Sequence, residues 1–251
     1  MIANPKIALK RLLRRAGWHI GRRNSYTAPF LDGEVHSLFD YQIFRTFGAE
    51  PRGLRFVQIG ANDGLHGDPL YPFVARYEWT GVMVEPVPAT FAALQRRHGG
   101  NPRIRLVQAA VDAQPGRRVI YSVDDPHAKL PGFVHAIASF HRDHLLSFSQ
   151  LVPDIARHIV EQEVPCQTLA QILADAGFDQ LDILQIDTEG HDDVVLAQVD
   201  LAQVRPRVIQ FEHTHLPSPR LVDCLLRLRE AGYAFSLEGR DLCAVCPPAS
   251  S

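Results

Sequence analysis

The stretch at residues 55–64, RFVQIGANDG, constrains the fold more than any other part of this chain. A short apolar run stops abruptly at Gly60, and asparagine, aspartate and a second glycine follow. This pattern predicts a buried strand that ends in a tight turn. Because Gly60 and Gly64 lack side chains, main-chain atoms in this turn are free to approach a ligand closely.

A second apolar stretch at residues 81–85, GVMVE, ends on a carboxylate. Glu85 follows the glycine turn by about the interval at which nucleotide-binding α/β units present an acid to ribose hydroxyls. The two stretches together predict a pocket for a ligand that contains a nucleoside.

The composition is that of an ordinary soluble domain. With 251 residues the chain is long enough to bury a sizeable core, and its net charge of −2 gives no reason to expect nucleic-acid binding. Four scattered cysteines and the lack of a recognisable signal peptide favour a cytoplasmic location. No apolar run approaches the roughly 18–20 residues needed to span a bilayer.

Residues 1–23 differ from the rest, because basic side chains alternate there with apolar ones. The leucines follow helical spacing, which predicts a basic amphipathic helix. Two interpretations stay open: a peripheral contact with an anionic inner-membrane surface or a partner, and a solvated helix packed on the domain. We divide the chain into an N-terminal helix and helical lead-in at 1–54 and a main domain at 55–251.

From residue 55 the pattern alternates between strands and helices. Further strands are predicted at 104–109, 116–123, 181–186 and 208–211, and a closing hairpin at 233–237 and 242–245. Further helices are predicted at 69–77, from Pro88 to the glycines at 99 and 100, and at 168–176, 192–199 and 219–231. The alternation predicts an α/β fold with a mainly parallel sheet, helices on both faces and a C-terminal antiparallel hairpin.

Residues 124–165 break this alternation with four prolines and, between positions 127 and 144, four histidines. We expect an inserted, lid-like region with at least one helix, near residues 149–162, that recognises the acceptor. The histidines either line an acceptor pocket or are ordinary loop residues.

Acidic side chains follow four of the predicted strands: Asp63, Glu85, Asp112 and Asp187. Because the carboxyl ends of parallel strands meet at the sheet edge where α/β proteins bind ligands, we expect these acids to lie together. The alternative is that they cap helices or face solvent.

Four segments together resemble the FkbM-type S-adenosylmethionine-dependent methyltransferases: FVQIGANDG, GVMVEP, LVQAAVD and LQIDTEGHDDVVL. The resemblance covers roughly residues 56–245 and is interrupted at 124–165. It implies the class I methyltransferase fold, a Rossmann-like seven-stranded sheet, with S-adenosyl-L-methionine as the cofactor. It also implies O-methylation of a sugar, glycan or secondary metabolite.

The resemblance implies a cofactor site built from several strand ends. The glycine turn would hold the amino-acid part, with Asp63 near its ammonium group. Glu85 would accept hydrogen bonds from both ribose hydroxyls, while Val111 and Asp112 would contact the adenine. The residues implied to bind the cofactor are Gly60, Asn62, Asp63, Gly64, Glu85, Val111, Asp112 and Asp187.

Removal of the acceptor's proton requires a base close to the sulfonium end of such a site. We favour Asp187 and Glu189 as the functional pair, with His213 as a secondary base. His191 and Glu212 are the remaining candidates.

The same two loops also permit a metal site. The residues that would contribute are Asp187, Glu189, His191, Glu212, His213 and His215. Their oxygens would suit Mg²⁺ or Ca²⁺, and their imidazoles would admit Zn²⁺ or Mn²⁺. Because the spacing matches no specific metal motif, our prediction includes no metal.

Two other functions are compatible with the pattern: a non-catalytic cofactor-binding or membrane-surface scaffold, and a nicotinamide-dependent oxidoreductase. The G-x-G-x-x-G fingerprint of dinucleotide sites is absent after the first strand, which argues against the oxidoreductase. We therefore expect an enzyme that methylates a small-molecule or glycan acceptor and has no nucleic-acid partner.

Overall fold

The computed structural model describes residues 35–125, 127 and 129–246. Its strands are β1 (Arg55–Ile59), β2 (Thr80–Val84), β3 (Ile104–Val107), β4 (Ala110–Val111), β5 (Gly116–Val123), β6 (Ala138–Ser139), β7 (Ile159–Gln167), β8 (Ile183–Ile186), β9 (Val208–Glu212), β10 (Ala234–Glu238) and β11 (Asp241–Val245). Its α-helices are α1 (Leu38–Phe47), α2 (Tyr71–Tyr77), α3 (Pro88–His98), α4 (Arg142–Leu146), α5 (Leu169–Ala176), α6 (Asp192–Ala197) and α7 (Ser218–Glu230). Short 3-10 helices occupy Gly132–Ala136, Ser147–Gln150 and Ile155–Arg157.

A seven-stranded sheet has the strand order β10-β11-β9-β8-β1-β2-β3. The five strands from β9 to β3 pair in parallel, whereas β11 is antiparallel to both of its neighbours. The predicted α/β fold, with a mainly parallel sheet and a C-terminal antiparallel hairpin, is therefore confirmed.

One face of this sheet is covered by α5, α6 and α7. Alternate strand residues such as Val57, Leu184 and Ile209 point to that face and are fully buried. Helix α5 is specified locally, because Thr168 forms a capping box at its start and Gly177 takes a left-handed conformation at its end. The apolar face of the sheet and these capped helices together hold the strand ends in place.

The opposite face is covered by α1 and a cluster of aromatic side chains. Helix α1 packs against the strands β9 to β11. Phe73 stacks on the fully buried Trp79 with ring centroids 5.0 Å apart, and Phe44 packs against Phe73. Helices on both faces leave the edge formed by the strand ends as the accessible part of the sheet.

A second sheet of four strands has the order β4-β7-β5-β6. Strand β5 pairs antiparallel with β7 along its whole length, and β4 runs parallel to β7. The strand predicted at 104–109 ends two residues earlier, at Val107, and β4, which follows it, belongs to this second sheet.

The helix predicted near residues 149–162 is wrong. That stretch contains the end of the 3-10 helix Ser147–Gln150 and the whole of the 3-10 helix Ile155–Arg157, and it then enters β7 at Ile159. Pro153 interrupts helical hydrogen bonding, and the β-branched Ile159, Val160 and Val164 lie opposite β5, which supplies a complete pairing partner. Tertiary pairing therefore decides the structure of this segment.

Among the described residues, no helix is long and apolar enough to span a membrane. The basic helix predicted at 1–23 lies outside the described residues.

Candidate functional site

A cavity of about 920 Å³ lies at the carboxyl ends of β1, β2 and β8. The strand-end residues on its wall include Gly60, Asn62, Asp63, Glu85, Val111, Asp187 and Glu189. The opposite wall comes from the second sheet and the inserted region, and includes Ile120, Ser122, His135, Phe140 and Gln162. The structure therefore brings seven of the predicted site residues to one cavity.

The turn after β1 is held by close backbone packing. Gly60 has a φ of +80°, and a Cβ at this position would overlap the carbonyl oxygen of Asp187. The N–H groups of Gly60 and Ala61 both donate to the carbonyl of Val84. These contacts join the ends of β1, β2 and β8 at the cavity floor, and they leave space only for glycine at position 60.

Glu85 lies at the end of β2 with its side chain buried. The N–H of Asn62 donates to Glu85 Oε2 at 3.0 Å, and the N–H of Val87 donates to Oε1 at 2.9 Å. Burial raises the pKa of Glu85 to about 7, although the two backbone donors favour the ionised form. Each carboxylate oxygen of Glu85 thus accepts a hydrogen bond from one backbone N–H.

Asp63 is oriented by its own turn. Its Oδ1 accepts from the N–H groups of Leu65 and His66, and its Oδ2 lies 2.7 Å from His66 Nδ1. Burial alone would raise the pKa of Asp63, but these hydrogen bonds hold the pKa below its usual value. Asp63 therefore presents a negative charge at the cavity wall.

Three predicted site residues do not line the cavity. Gly64 packs against α3, where His98 Nε2 donates to its carbonyl at 3.0 Å. Asp112 is engaged by Arg118 Nη1 at 2.6 Å and His191 Nε2 at 3.0 Å. His213 follows β9, and its Nε2 is buried without a hydrogen-bond partner among the described residues.

Carboxylate oxygens of Asp187, Glu189 and Glu212 lie within 4.8 Å of one another. Asp187 follows β8 and faces the open cavity, although protein atoms surround it closely on its other sides. Burial raises the pKa of Asp187 well above its usual value, and the charge of Glu189 raises it further. Glu212, at the end of β9, is buried.

The prediction missed how closely the inserted region approaches these carboxylates. His144, on α4, places its Nε2 2.7 Å from Glu189 Oε2, and Ser139 Oγ donates to the carbonyl of Glu189 at 2.8 Å. Arg240, in the β10–β11 turn, pairs with Glu212. The pairing of β11 with β9 places Asp241 opposite Glu212 and so brings Arg240 beside it, a pairing that the hairpin pattern alone did not indicate.

A model of the methyltransferase FkbM domain matches residues 58–235 of this chain. The chain belongs to the FkbM methyltransferase family. Its fold is similar to that of the methyltransferase FkbM from Methylobacillus flagellatus, with a TM-score of 0.50 at 12% identity, over 96% of this chain and 71% of that one. The resemblance found in the sequence is thereby confirmed.

Other solved structures with some similarity to this FkbM-family chain are also described as methyltransferases. A human methyltransferase 10 domain-containing protein has a TM-score of 0.41 at 14% identity, over 98% of this chain and 99% of that one. Precorrin-6y C5,15-methyltransferase from Geobacter metallireducens has a TM-score of 0.41 at 11% identity, over 78% and 81% of the two chains. No curated protein matches the sequence.

Proposed function

We propose that this protein is an S-adenosylmethionine-dependent O-methyltransferase that acts on a hydroxyl of a sugar, glycan or secondary metabolite. The observation that carries the proposal is that one cavity holds both Glu85 and the pair of Asp187 and Glu189. The first carboxylate suits vicinal hydroxyls of a bound nucleoside, and the second pair suits the proton of an acceptor hydroxyl.

The residues present fit the cofactor. Each oxygen of Glu85 accepts one backbone N–H and retains further acceptor capacity for a ribose hydroxyl. Val87 and Val111 provide apolar wall for an adenine ring, and Asp63 provides a negative charge for an ammonium group. When bound, S-adenosylmethionine supplies an electrophilic methyl group on a sulfonium.

The chain's own contribution to the chemistry is position and proton removal. Asp187 and Glu189 both face the cavity, so either carboxylate is placed to accept the proton of an acceptor hydroxyl as the oxygen becomes nucleophilic. His213 is outside the cavity wall, which leaves the two carboxylates as the favoured bases.

The acceptor would contact the wall formed by the second sheet and the inserted region. This wall combines an aromatic ring, Phe140, with polar groups at Ser122, His135 and Gln162. Rings beside hydrogen-bonding side chains suit a polyhydroxylated acceptor, because its hydroxyls find donors and acceptors while its carbon skeleton finds apolar surface.

The first test is calorimetric titration of the protein with S-adenosylhomocysteine and, in parallel, with NADH. We expect micromolar binding of S-adenosylhomocysteine alone. Glu85→Ala should weaken that binding by about 2–3 kcal/mol, because two charge-assisted hydrogen bonds are lost. Binding of NADH alone would favour an oxidoreductase. If neither compound bound, the proposed cofactor site would be wrong.

The second test is transfer of labelled methyl from S-adenosylmethionine to a panel of sugars, glycans and hydroxylated metabolites. Asp187→Asn should lower kcat on the responding acceptor by a much larger factor than it lowers S-adenosylhomocysteine affinity. Asp154→Asn is a matched control, since that residue forms an ion pair with Arg157 on the surface. Cofactor binding without turnover on any acceptor would favour the scaffold function.

A further inference from the structure

Two histidines and three carboxylates form a cluster beside the cavity, called here the His–carboxylate cluster: His144, Asp187, Glu189, Glu212 and His215. Asp187 and Glu189 are its members on the cavity wall. One ligating atom each of His144, Glu189 and His215 lies within 4.8 Å of the others, and the same holds for the three carboxylates. Glu189 belongs to both groups and links them.

The distances inside the cluster are close to those of a metal coordination shell. His215 Nε2 lies 3.5 Å from Glu189 Oε2 and 3.4 Å from Glu212 Oε1. Bonds of about 2.0–2.1 Å from a metal to nitrogen or oxygen place neighbouring tetrahedral ligands roughly 3.3 Å apart. The 2.7 Å contact between His144 Nε2 and Glu189 Oε2 is a hydrogen bond that an ion would replace.

The cluster is assembled from separate elements, each with its own support. His144 is on α4, Glu189 follows β8, and His215 follows β9. The side chain of His144 is 8% exposed, and its ring is 4.1 Å from that of His215. Glu189 has a φ of +51°, and Ser139 holds its carbonyl. The backbone strain at Glu189 is thus maintained by contacts with the inserted region.

Charge and hydrogen bonding in the cluster favour the binding of a cation. Asp187, Glu189 and Glu212 are three acidic side chains close together, and the guanidinium of Arg240 pairs with two of them. Glu212 is 4% exposed, yet its Oε2 has no hydrogen-bond partner among the described residues. A buried carboxylate oxygen without a donor is costly, and an ion would satisfy it.

From this arrangement we propose that the His–carboxylate cluster binds one divalent first-row transition-metal ion, with His144, Glu189 and His215 as ligands and a carboxylate of Glu212 or Asp187 completing the shell. Imidazole nitrogens mixed with carboxylates suit Zn²⁺, Mn²⁺ or Co²⁺, whereas Mg²⁺ and Ca²⁺ prefer oxygen ligands alone. The possible metal ligands named from the sequence did not include His144. The tertiary structure brings this residue to the site.

Arg240 would compete with the metal ion for the ligand atoms of Glu212 and His215. Its guanidinium pairs with Glu212 and contacts His215 Nε2, and its side chain is 51% exposed. The residue lies in a hairpin turn, so the guanidinium has solvent to move into. Metal binding requires it to leave His215, and removal of Arg240 is therefore expected to strengthen metal binding.

A metal here would act on the acceptor, and this part of the inference rests on the proposed function. Asp187 and Glu189 line the cavity, so an ion on the cluster would be accessible to an acceptor hydroxyl. A hydroxyl bound to a divalent ion loses its proton more readily, which assists the carboxylate that accepts it.

The test uses tag-free, chelator-treated full-length protein, titrated with Co²⁺ and followed by visible absorption, and with Zn²⁺, Mn²⁺ and Mg²⁺ followed by calorimetry. We expect one Co²⁺ per chain with absorption bands typical of nitrogen and oxygen ligands, and weaker binding of Mg²⁺. His215→Gln should weaken Co²⁺ and Zn²⁺ binding at least tenfold, as should His144→Gln. His141→Gln, an exposed histidine of the inserted region, is the matched control and should bind as the wild type does.

Absence of stoichiometric Co²⁺ and Zn²⁺ binding to the wild type would overturn the proposal, as would equal affinity of the His141→Gln and His215→Gln variants. His215 is partly exposed, so its variant is informative even if His144→Gln does not fold. Arg240→Gln should bind the metals more tightly, and weaker binding would contradict the competition. Because metal binding is measured without cofactor, failure here leaves the S-adenosylhomocysteine titration as an independent test of the proposed function.

Discussion

Glu85 is a buried carboxylate whose position lowers the stability of the fold. Its carboxylate is buried at the end of β2, where backbone N–H groups orient both oxygens. Burial of a carboxylate favours the protonated form, so the folded protein binds a proton that the unfolded chain has already lost. The stability of the ligand-free protein above pH 4.5 is lowered as a result.

This cost predicts a specific pH dependence. Because the pKa of Glu85 rises from 4.5 to about 7 on folding, its contribution to stability is present below pH 4.5 and is lost as the pH rises through 7. Between those limits the wild type should lose on the order of 3 kcal/mol more than Glu85→Gln. Urea denaturation of both proteins from pH 4.5 to 8 measures this difference. If the free energy of unfolding changed equally with pH in both proteins, folding would not raise the pKa of Glu85.

Gly60 is the second residue whose identity is set by its surroundings. Gly60→Ala would place a Cβ against the carbonyl of Asp187 in addition to its positive φ, so β1 and β8 must separate. Gly48→Ala is a matched control, since Gly48 has a φ of +87° and open space around its Cβ position. We expect the control to cost about 1–2 kcal/mol in unfolding free energy and Gly60→Ala to cost clearly more. Equal losses would mean that the strand ends adapt freely.

At the scale of elements, the sequence predicted a helix correctly where its segment contained both start and stop signals. Helix α5 has a capping residue, an apolar face and a terminal glycine, and it was predicted with nearly correct bounds. The segment at 149–162 lacks such signals and contains Pro153, so its structure depends on β5, a partner distant in sequence. Periodicity alone does not identify that partner.

The capping box of α5 gives a prediction at this scale. Thr168 Oγ1 accepts from the N–H of Gln171, whose side chain accepts from the N–H of Thr168. Thr168→Ala should lower the free energy of unfolding by about 1 kcal/mol. Thr168→Ser retains the hydroxyl and should restore most of it. Chemical denaturation of the three proteins tests this, and an unchanged Thr168→Ala would show that packing alone holds the helix.

At the scale of the whole molecule, two sheets enclose one cavity. The strand ends of the seven-stranded sheet form one wall, and the second sheet with the inserted region forms the other. Under the proposed function, the cofactor would lie at the first wall and the acceptor at the second.

The basic segment at 1–23 gives a prediction that is independent of the cavity. If it is an attachment helix, its deletion should leave S-adenosylhomocysteine affinity within about twofold in calorimetry. The same deletion should abolish sedimentation with anionic vesicles, while neutral vesicles should bind neither protein. A large loss of cofactor affinity would instead assign this segment to the binding site.

The sequence by itself determined the α/β class and the strand ends that meet at the cavity, because alternating apolar runs, caps and glycine turns act over short distances. The family followed from the resemblance carried by four sequence segments. Only the tertiary structure decided that β7 is a strand, that Asp112 pairs with Arg118 and that His144 reaches Glu189. Those contacts join residues far apart in the chain, and their geometry depends on how the inserted region packs against the sheet edge. Local patterns specify elements, whereas the positions of side chains from different elements depend on packing throughout the domain.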